Sequence, residues 1–257
     1  MKHLMLDIYD VKADVSNVQT VNEIMNKVIT DLSLKAVMPT EDVIYYYCDV
    51  PEDGGVSSFC ILDNGHITMH TFPFFSACYV DIMFDSFDCD KAKSLFSQSL
   101  KTDNINSWYF DRDSEKCNAG YDDTNSFGPH ALVKANCKQN LTMGDIYGIL
   151  ETLPEKIGMH PITRPFIVTN RISNYDVISG IIIIAESHIS FHYNVNSGDV
   201  YFDIYSCKFC NPEDLYSSVS EIFGTDFSYQ LISRGMRHKK ALKKGFSLTN
   251  NGWRENI

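Results

Sequence analysis

No apolar run in this sequence approaches the roughly 20 residues that a helix needs to cross a bilayer. The start, MKHLMLDIYD, carries Asp7 and Asp10 and makes a poor signal peptide. Basic residues are scarce as well: 22 Lys and Arg stand against 33 Asp and Glu, a formal charge of −11. Such a balance argues against a nucleic-acid partner. Paired metal-binding cysteines are also missing. Of eight cysteines in 257 residues, only Cys207 and Cys210 form a C-x-x-C, with no second pair or close histidine pair to complete a zinc site. Reduced thiols, no metal, no membrane and a cytoplasmic location are the expectations.

What is present is ordinary for a globular chain, with 44% hydrophobic and 21% charged residues, and the length suits one large domain or two of ordinary size. The distinctive feature is an internal repeat. Gly65–His70 (GHITMH) matches Ser187–His192 (SHISFH) at an offset of 122. The same offset carries Gly55-Val56-Ser57 onto Val177-Ile178-Ser179 and Val80–Ile82 onto Phe202–Ile204, and the helical stretch from Thr20 falls on that from Met143 with little slippage. Several matches at one spacing indicate a duplication. The modules are placed at 1–112 and 128–238, joined by a polar linker at 113–127 and followed by a basic tail at 239–257 that reads as a solvated terminus.

Each half reads as strand, helix, strand, strand, strand, helix, strand, an α+β arrangement of antiparallel sheets with helices on one face. The segment 177–195, containing IIIIAESHISFH, is taken as one long strand whose polar end leaves the core. Asn196–Asp199 (NSGD) predicts a two-residue hairpin loop. Pairing outward from it puts Ser187 opposite Lys208 and next to Cys207. Ser187 and His192, five residues apart, point to opposite faces of a regular strand, so a base acting on Ser187 should come from elsewhere.

The string from Ala185 to His192 (AESHISFH), preceded by Ile178-Ser179-Gly180 and followed by VYFDIYSC ending at Cys207, resembles the processing site of the pyruvoyl-dependent S-adenosylmethionine decarboxylases. The first half resembles the same module through HLMLD from His3, Ser57, the His66–Pro73 stretch (HITMHTFP) and Val80–Ile82. The likeness implies two modules packed as an αββα sandwich. It also implies self-cleavage between Glu186 and Ser187, leaving a pyruvoyl group derived from Ser187. That ketone condenses with a substrate amine and acts as an electron sink for loss of carbon dioxide. The implied product is decarboxylated S-adenosylmethionine for spermidine synthesis, made by a two-chain protomer that could pair as a homodimer through sheet edges.

The first half has Gly65 in place of Ser187 and Asp85 in place of Cys207, so it cannot generate the group itself. It keeps Ser57 and His70. The family pattern joins the pyruvoyl serine and acidic cysteine of one module with a serine and histidine of the other. This implies Cys207 as proton donor, His70 as processing base and Ser57 as a holder of the tetrahedral intermediate. An ordinary buried thiol and a satisfied strand histidine are the competing readings of Cys207 and His70. His192 and Ser179 read as leftovers of a symmetric ancestor.

The likeness fails just after the motif histidines, where the tryptophan of the pattern is replaced by Phe72 and Tyr193 and a glutamate is missing. Relatives carry a glutamate four residues after the motif histidine to grip the ribose hydroxyls; here Phe74 and Asn196 stand there. Losing a carboxylate partner for a buried diol costs roughly 2–4 kcal/mol. Phe72 and Phe74 are read as filling space in the substrate site, and Glu52 or Asp53 as a substitute carboxylate. Arginine or ornithine is the alternative substrate. A non-catalytic activating partner, with an intact chain, is the alternative class.

Overall fold

The computed structural model describes residues 1–45, 52, 54–122, 127–172, 174–185, 187–207, 210–235, 246–249 and 252–255. The chain divides into two compact units, Met1–Asn118 and Ala119–Ile257. In the first, β1 (Lys2–Ile8) leads to α1 (Val18–Asp31), then β2 (Glu41–Tyr45), β3 (Gly55–Leu62), β4 (Gly65–Phe72) and β5 (Ala77–Phe84), followed by α2 (Cys89–Leu100) and β6 (Ile105–Asp111). The second repeats the series as β7 (Gly128–Asn136), α3 (Met143–Lys156), β8 (Phe166–Ile172), β9 (Tyr175–Ile184), β10 (Ser187–Asn194), β11 (Asp199–Tyr205), α4 (Pro212–Phe223) and β12 (Phe227–Arg234). A hairpin of β13 (Phe246–Thr249) and β14 (Gly252–Glu255) lies within the tail; residues 236–245 fall outside the described set.

Each unit holds a six-stranded antiparallel sheet, ordered β2-β3-β4-β5-β1-β6 and β8-β9-β10-β11-β7-β12. The two orders are the same topology, as a duplication requires. Alternation along the strands explains the packing: Leu4, Leu6 and Ile8 of β1 and Cys78, Val80 and Ile82 of β5 share one face. They meet Val21, Met25 and Val28 of α1 and Ala92 and Phe96 of α2, all buried at helical spacing. In the second unit Ile189, Phe191, Phe202 and Ile204 pack against Ile146 and Leu150 of α3 and Leu215 and Val219 of α4. Each buried Val, Leu, Ile, Met or Phe among them contributes about 1.5–3 kcal/mol. The opposite residues of the same strands, including His3, Asp7, Ser57, His66, His70 and Asp81, are also buried.

Local sequence starts the helices. Asn17 Oδ1 accepts from the N–H groups of Gln19 and Thr20 at the head of α1. At α3, Thr142 and Asp145 form a reciprocal capping box. The interior of α1 and α3 is otherwise carried by the apolar stripe.

Two expectations need correction. The run 177–195 is not one strand: β9 ends at Ile184 and β10 begins at Ser187, with those two residues paired across the reversal. An uninterrupted apolar run hides such a turn, because both strands bury the same residue types. The β10–β11 register also differs from the predicted one. His188 pairs with Tyr205 and the ladder closes at Tyr193 and Val200, a register shifted by two residues from the predicted one. The reason is Asn194, whose Oδ1 accepts from the N–H groups of Asn196 and Ser197, while Gly198, at φ 79°, donates to Asn194 O. This side-chain turn competes successfully with the shorter loop. The residues at 113–127 are not wholly exposed: Cys117 and Phe127 are buried, and Gly120 accepts from Ser233 N–H on β12.

Candidate active site

The reversal between β9 and β10 puts Ser187 at the tip of a tight hairpin, beside the C-terminal end of β11. Ser187 Oγ donates to Ala185 O at 3.3 Å and accepts from the backbone N–H of Cys207 at 2.7 Å. The Cys207 thiol donates to the same Ala185 carbonyl at 3.2 Å. Ser187 and Cys207 are both buried. A hydroxyl and a thiol thus converge on the carbonyl just before the Glu186–Ser187 peptide, and a backbone amide holds the hydroxyl in turn; Glu186 itself lies outside the described residues. The neighbouring Cys210 takes no part. Its thiol faces Ile157 O in the helix-side core, and burial, with the Asp214 carboxylate second, pushes its pKa up to about 12.

The matching tip of the first unit lacks these functions. Leu62 pairs with Gly65 across the turn, so Gly65 occupies the position of Ser187. Its φ is 134°, and a Cβ there would stand 1.9 Å from Met83 O. Asp85 receives the Asn64 side-chain amide. Desolvation raises the Asp85 pKa, against that hydrogen bond. A partly desolvated carboxylate thus stands where the second unit has a buried thiol.

Both units retain a serine–histidine pair across neighbouring strands. Ser57 of β3 lies opposite His70 of β4, with Oγ and Nδ1 2.8 Å apart. Ser179 of β9 lies opposite His192 of β10, with the same atoms 2.9 Å apart. In each, the hydroxyl and ring nitrogen share one proton between them, which orients the imidazole. Local geometry therefore gives the two pairs equal standing.

A second repeated feature has no counterpart in the sequence-based reading. Arg112 donates to His3 Nδ1 at 3.2 Å, and His3 Nε2 is 3.5 Å from Asp81. In the second unit Arg234 donates to His130 Nδ1 at 3.1 Å and lies over the Tyr205 ring. His130 and His188 both lean on Tyr205. Because arginine only donates, each of these imidazoles accepts at Nδ1 and carries its proton on Nε2. Removing the imidazole would cost the buried guanidinium one charge-assisted hydrogen bond, about 1.5–3 kcal/mol. The available signal was the 122-residue spacing of Arg112 and Arg234.

Among the substrate-site candidates, Phe72 is fully buried against Tyr79, whereas Phe74 sits on a short 3-10 turn at Pro73–Phe75 and is 68% exposed. Their alternate directions follow from the strand ending at Phe72. Glu52 is half-buried, and Asp53 lies outside the described residues. Asn196, at the position of the second missing glutamate, accepts from Asp176 N–H and serves its turn. Among the described residues, no cluster of His, Cys, Asp or Glu could hold a metal ion. No helix there is long and apolar enough to cross a membrane.

The sequence profile described as S-adenosylmethionine decarboxylase matches residues 2–113 and 135–235, once over each sheet. The chain belongs to the S-adenosylmethionine decarboxylase family. Among the solved structures similar to it are these two. One is the adenosylmethionine decarboxylase from Aquifex aeolicus vf5, 19% identical, covering 44% of this chain and 94% of that one at a TM-score of 0.34. The other is an unknown protein from Galdieria sulphuraria, 10% identical, covering 90% of this chain and 97% of that one at a TM-score of 0.21. No curated protein matches. Within the S-adenosylmethionine decarboxylase family, the paired profile match accounts for the shared topology of the two sheets.

Proposed function

We propose that the chain is a self-processing, pyruvoyl-dependent decarboxylase and that its substrate is S-adenosylmethionine. The observation that carries this reading is Ser187 Oγ, buried at a hairpin tip and held between Ala185 O and the Cys207 N–H. The residues there fit a group made from Ser187. The hydroxyl is one residue from the bond it must attack, and the only acidic side chain the reading needs, the Cys207 thiol, is directed at the same tip.

In the processing reaction Ser187 Oγ bonds to the Glu186 carbonyl carbon while that carbon's bond to Ser187 N breaks, and the hydroxyl proton passes to the released amine. His70 then takes the Ser187 α-proton and the Cβ–Oγ bond breaks. Residues 1–186 depart as a carboxylate. The remaining unsaturated residue tautomerises and one water displaces ammonia. Ser57 holds the oxyanion of the first step, worth roughly 10²–10³ in rate for such a donor. The roles of His70 and Ser57 come from the family pattern alone, because their paired geometry is matched by Ser179 and His192.

A pyruvoyl group, once present, supplies an electron sink for decarboxylation of an α-amino acid. Cys207 Sγ holds the proton destined for the former α-carbon, which calls for a neutral thiol. A basic amino acid is the second reading of the substrate. It is favoured by Phe74 and Asn196, one exposed and the other engaged in a turn, at the positions where a ribose-gripping carboxylate would stand.

Denaturing mass spectrometry of purified protein tests the class. Two chains, 1–186 and a pyruvoyl-capped remainder, are expected; one intact chain leaves the activating-partner reading. Release of labelled carbon dioxide from S-adenosylmethionine, arginine and ornithine in parallel decides the substrate.

A further inference from the structure

We propose that Gly128 is a positioning residue for self-cleavage: it lets the Ser206–Cys207 peptide lie close enough for the Cys207 N–H to serve the departing Oγ of Ser187. The proposal rests on the self-processing reading above.

Gly128 opens β7 and pairs with Arg234 on β12. A Cβ built on it would stand 1.8 Å from Ser206 O, 2.7 Å from Ser206 C and 3.1 Å from the carbonyl carbon of Cys207. All three are backbone atoms, so no side chain can swing aside. The same stretch is tied from the other side, because Ser206 N–H donates to Pro129 O at 3.0 Å. The Ser206 carbonyl and the Cys207 N–H belong to one planar peptide unit. A methyl group on residue 128 therefore moves the N–H that reaches Ser187 Oγ at 2.7 Å.

The first unit shows that the β7 position does not need glycine for the fold. The residue opposite Arg112 there is Met1, whose carbonyl accepts from Arg112 N–H at 2.8 Å. That unit has no processing serine. At this position the close approach occurs in the unit that carries Ser187, whereas the equally tight approaches of the first unit lie elsewhere, at Gly55 and Gly65.

Chemistry says which step the N–H serves. Before reaction it donates to a neutral hydroxyl. As the Cβ–Oγ bond breaks, Oγ becomes a carboxylate oxygen, and a hydrogen bond to an ionised acceptor is about twice as strong as one to a neutral acceptor. The donor thus favours elimination over the preceding acyl shift. Its displacement should leave the ester form waiting.

The test follows freshly made full-length Gly128→Ala by mass spectrometry, with and without hydroxylamine. Hydroxylamine cuts the ester and releases a C-terminal fragment that still begins with serine. Formation of the pyruvoyl-capped fragment is expected to slow by up to roughly 10²–10³-fold, the cost of losing one such donor, while the hydroxylamine-released fragment accumulates. Gly180→Ala is the control for mere destabilisation, since a Cβ there meets the side chains of Ile167, Leu150 and Ile146. It should lower the unfolding temperature without building up ester. Cleavage of Gly128→Ala at the wild-type rate overturns the proposal. So does slowing without hydroxylamine-sensitive ester, or equal ester accumulation in Gly180→Ala. If Gly128→Ala fails to fold, lactate at position 207 is compared with Cys207→Ala, which differs only in the N–H. Equal rates for those two also overturn it. An uncleaved wild-type chain sinks the self-processing reading instead.

Discussion

The backbone N–H of Cys207 reaches Ser187 Oγ at 2.7 Å, although twenty residues and a helix-side strand pair separate them in the chain. The contact exists because β10 and β11 are neighbours whose register ends at His188 and Tyr205. It joins the residue proposed to be consumed in processing to the residue proposed to finish catalysis.

Two serine–histidine pairs with the same geometry make a clean comparison. His70→Ala should slow chain cleavage by roughly 10²–10⁴, the usual contribution of a positioned base, whereas His192→Ala should cleave at close to the wild-type rate. Time-resolved mass spectrometry of both variants measures this. Equal slowing would remove the assignment of the base to the first module.

Gly65→Ser restores the missing hydroxyl to the first module, yet no cut at residues 64–65 is expected. The residue sits at φ 134° with Met83 O 1.9 Å from a would-be Cβ. Destabilisation of about 1–3 kcal/mol should appear in urea unfolding instead. A fragment ending at Asn64 would show that this tip is more adaptable than its backbone suggests.

Cys207→Ala removes the thiol but leaves its N–H. Chain cleavage should slow only a few-fold, in keeping with loss of one weak hydrogen bond to Ala185 O. Decarboxylation should stop or yield misprotonated side products, read by chromatography of the reaction mixture. A normal turnover rate with clean product would exclude Cys207 as the proton donor.

Buried thiols set an alkaline limit. Burial raises the pKa of Cys60 and, with Asp214, that of Cys210 to about 12, from a model-peptide value of 9.0. Above the unfolded value the native state holds protons that the unfolded state has lost, so stability is complete below about pH 9 and falls as pH rises toward 12. Urea unfolding at pH 8 and 10 should show this loss, and Cys210→Val should make it smaller. An unchanged pH slope in that variant would exclude a contribution from Cys210.

The duplication, the α+β class and the family likeness were legible because they depend on residue order alone: an offset of 122, alternating strands and amphipathic helices. The reversal between Ile184 and Ser187 was not, since β9 and β10 bury the same kinds of residue and leave no change of pattern at the break. The β10–β11 register was misjudged because Asn194 folds its own turn with a side chain. Proximity of Ser187 to Cys207 was nevertheless anticipated, as a two-residue slip keeps neighbours near.

By itself the sequence determined which residue types stand at the matched positions: a Glu-Ser-His in one repeat, an Asn-Gly-His in its place in the other, and cysteine against aspartate. Only the tertiary structure decided that Ser187 Oγ meets the Cys207 amide, that Phe72 is buried while Phe74 is exposed, and that Gly128 must be small. Residue identity is local, whereas hydrogen-bond reach and steric room depend on how separate strands are laid side by side.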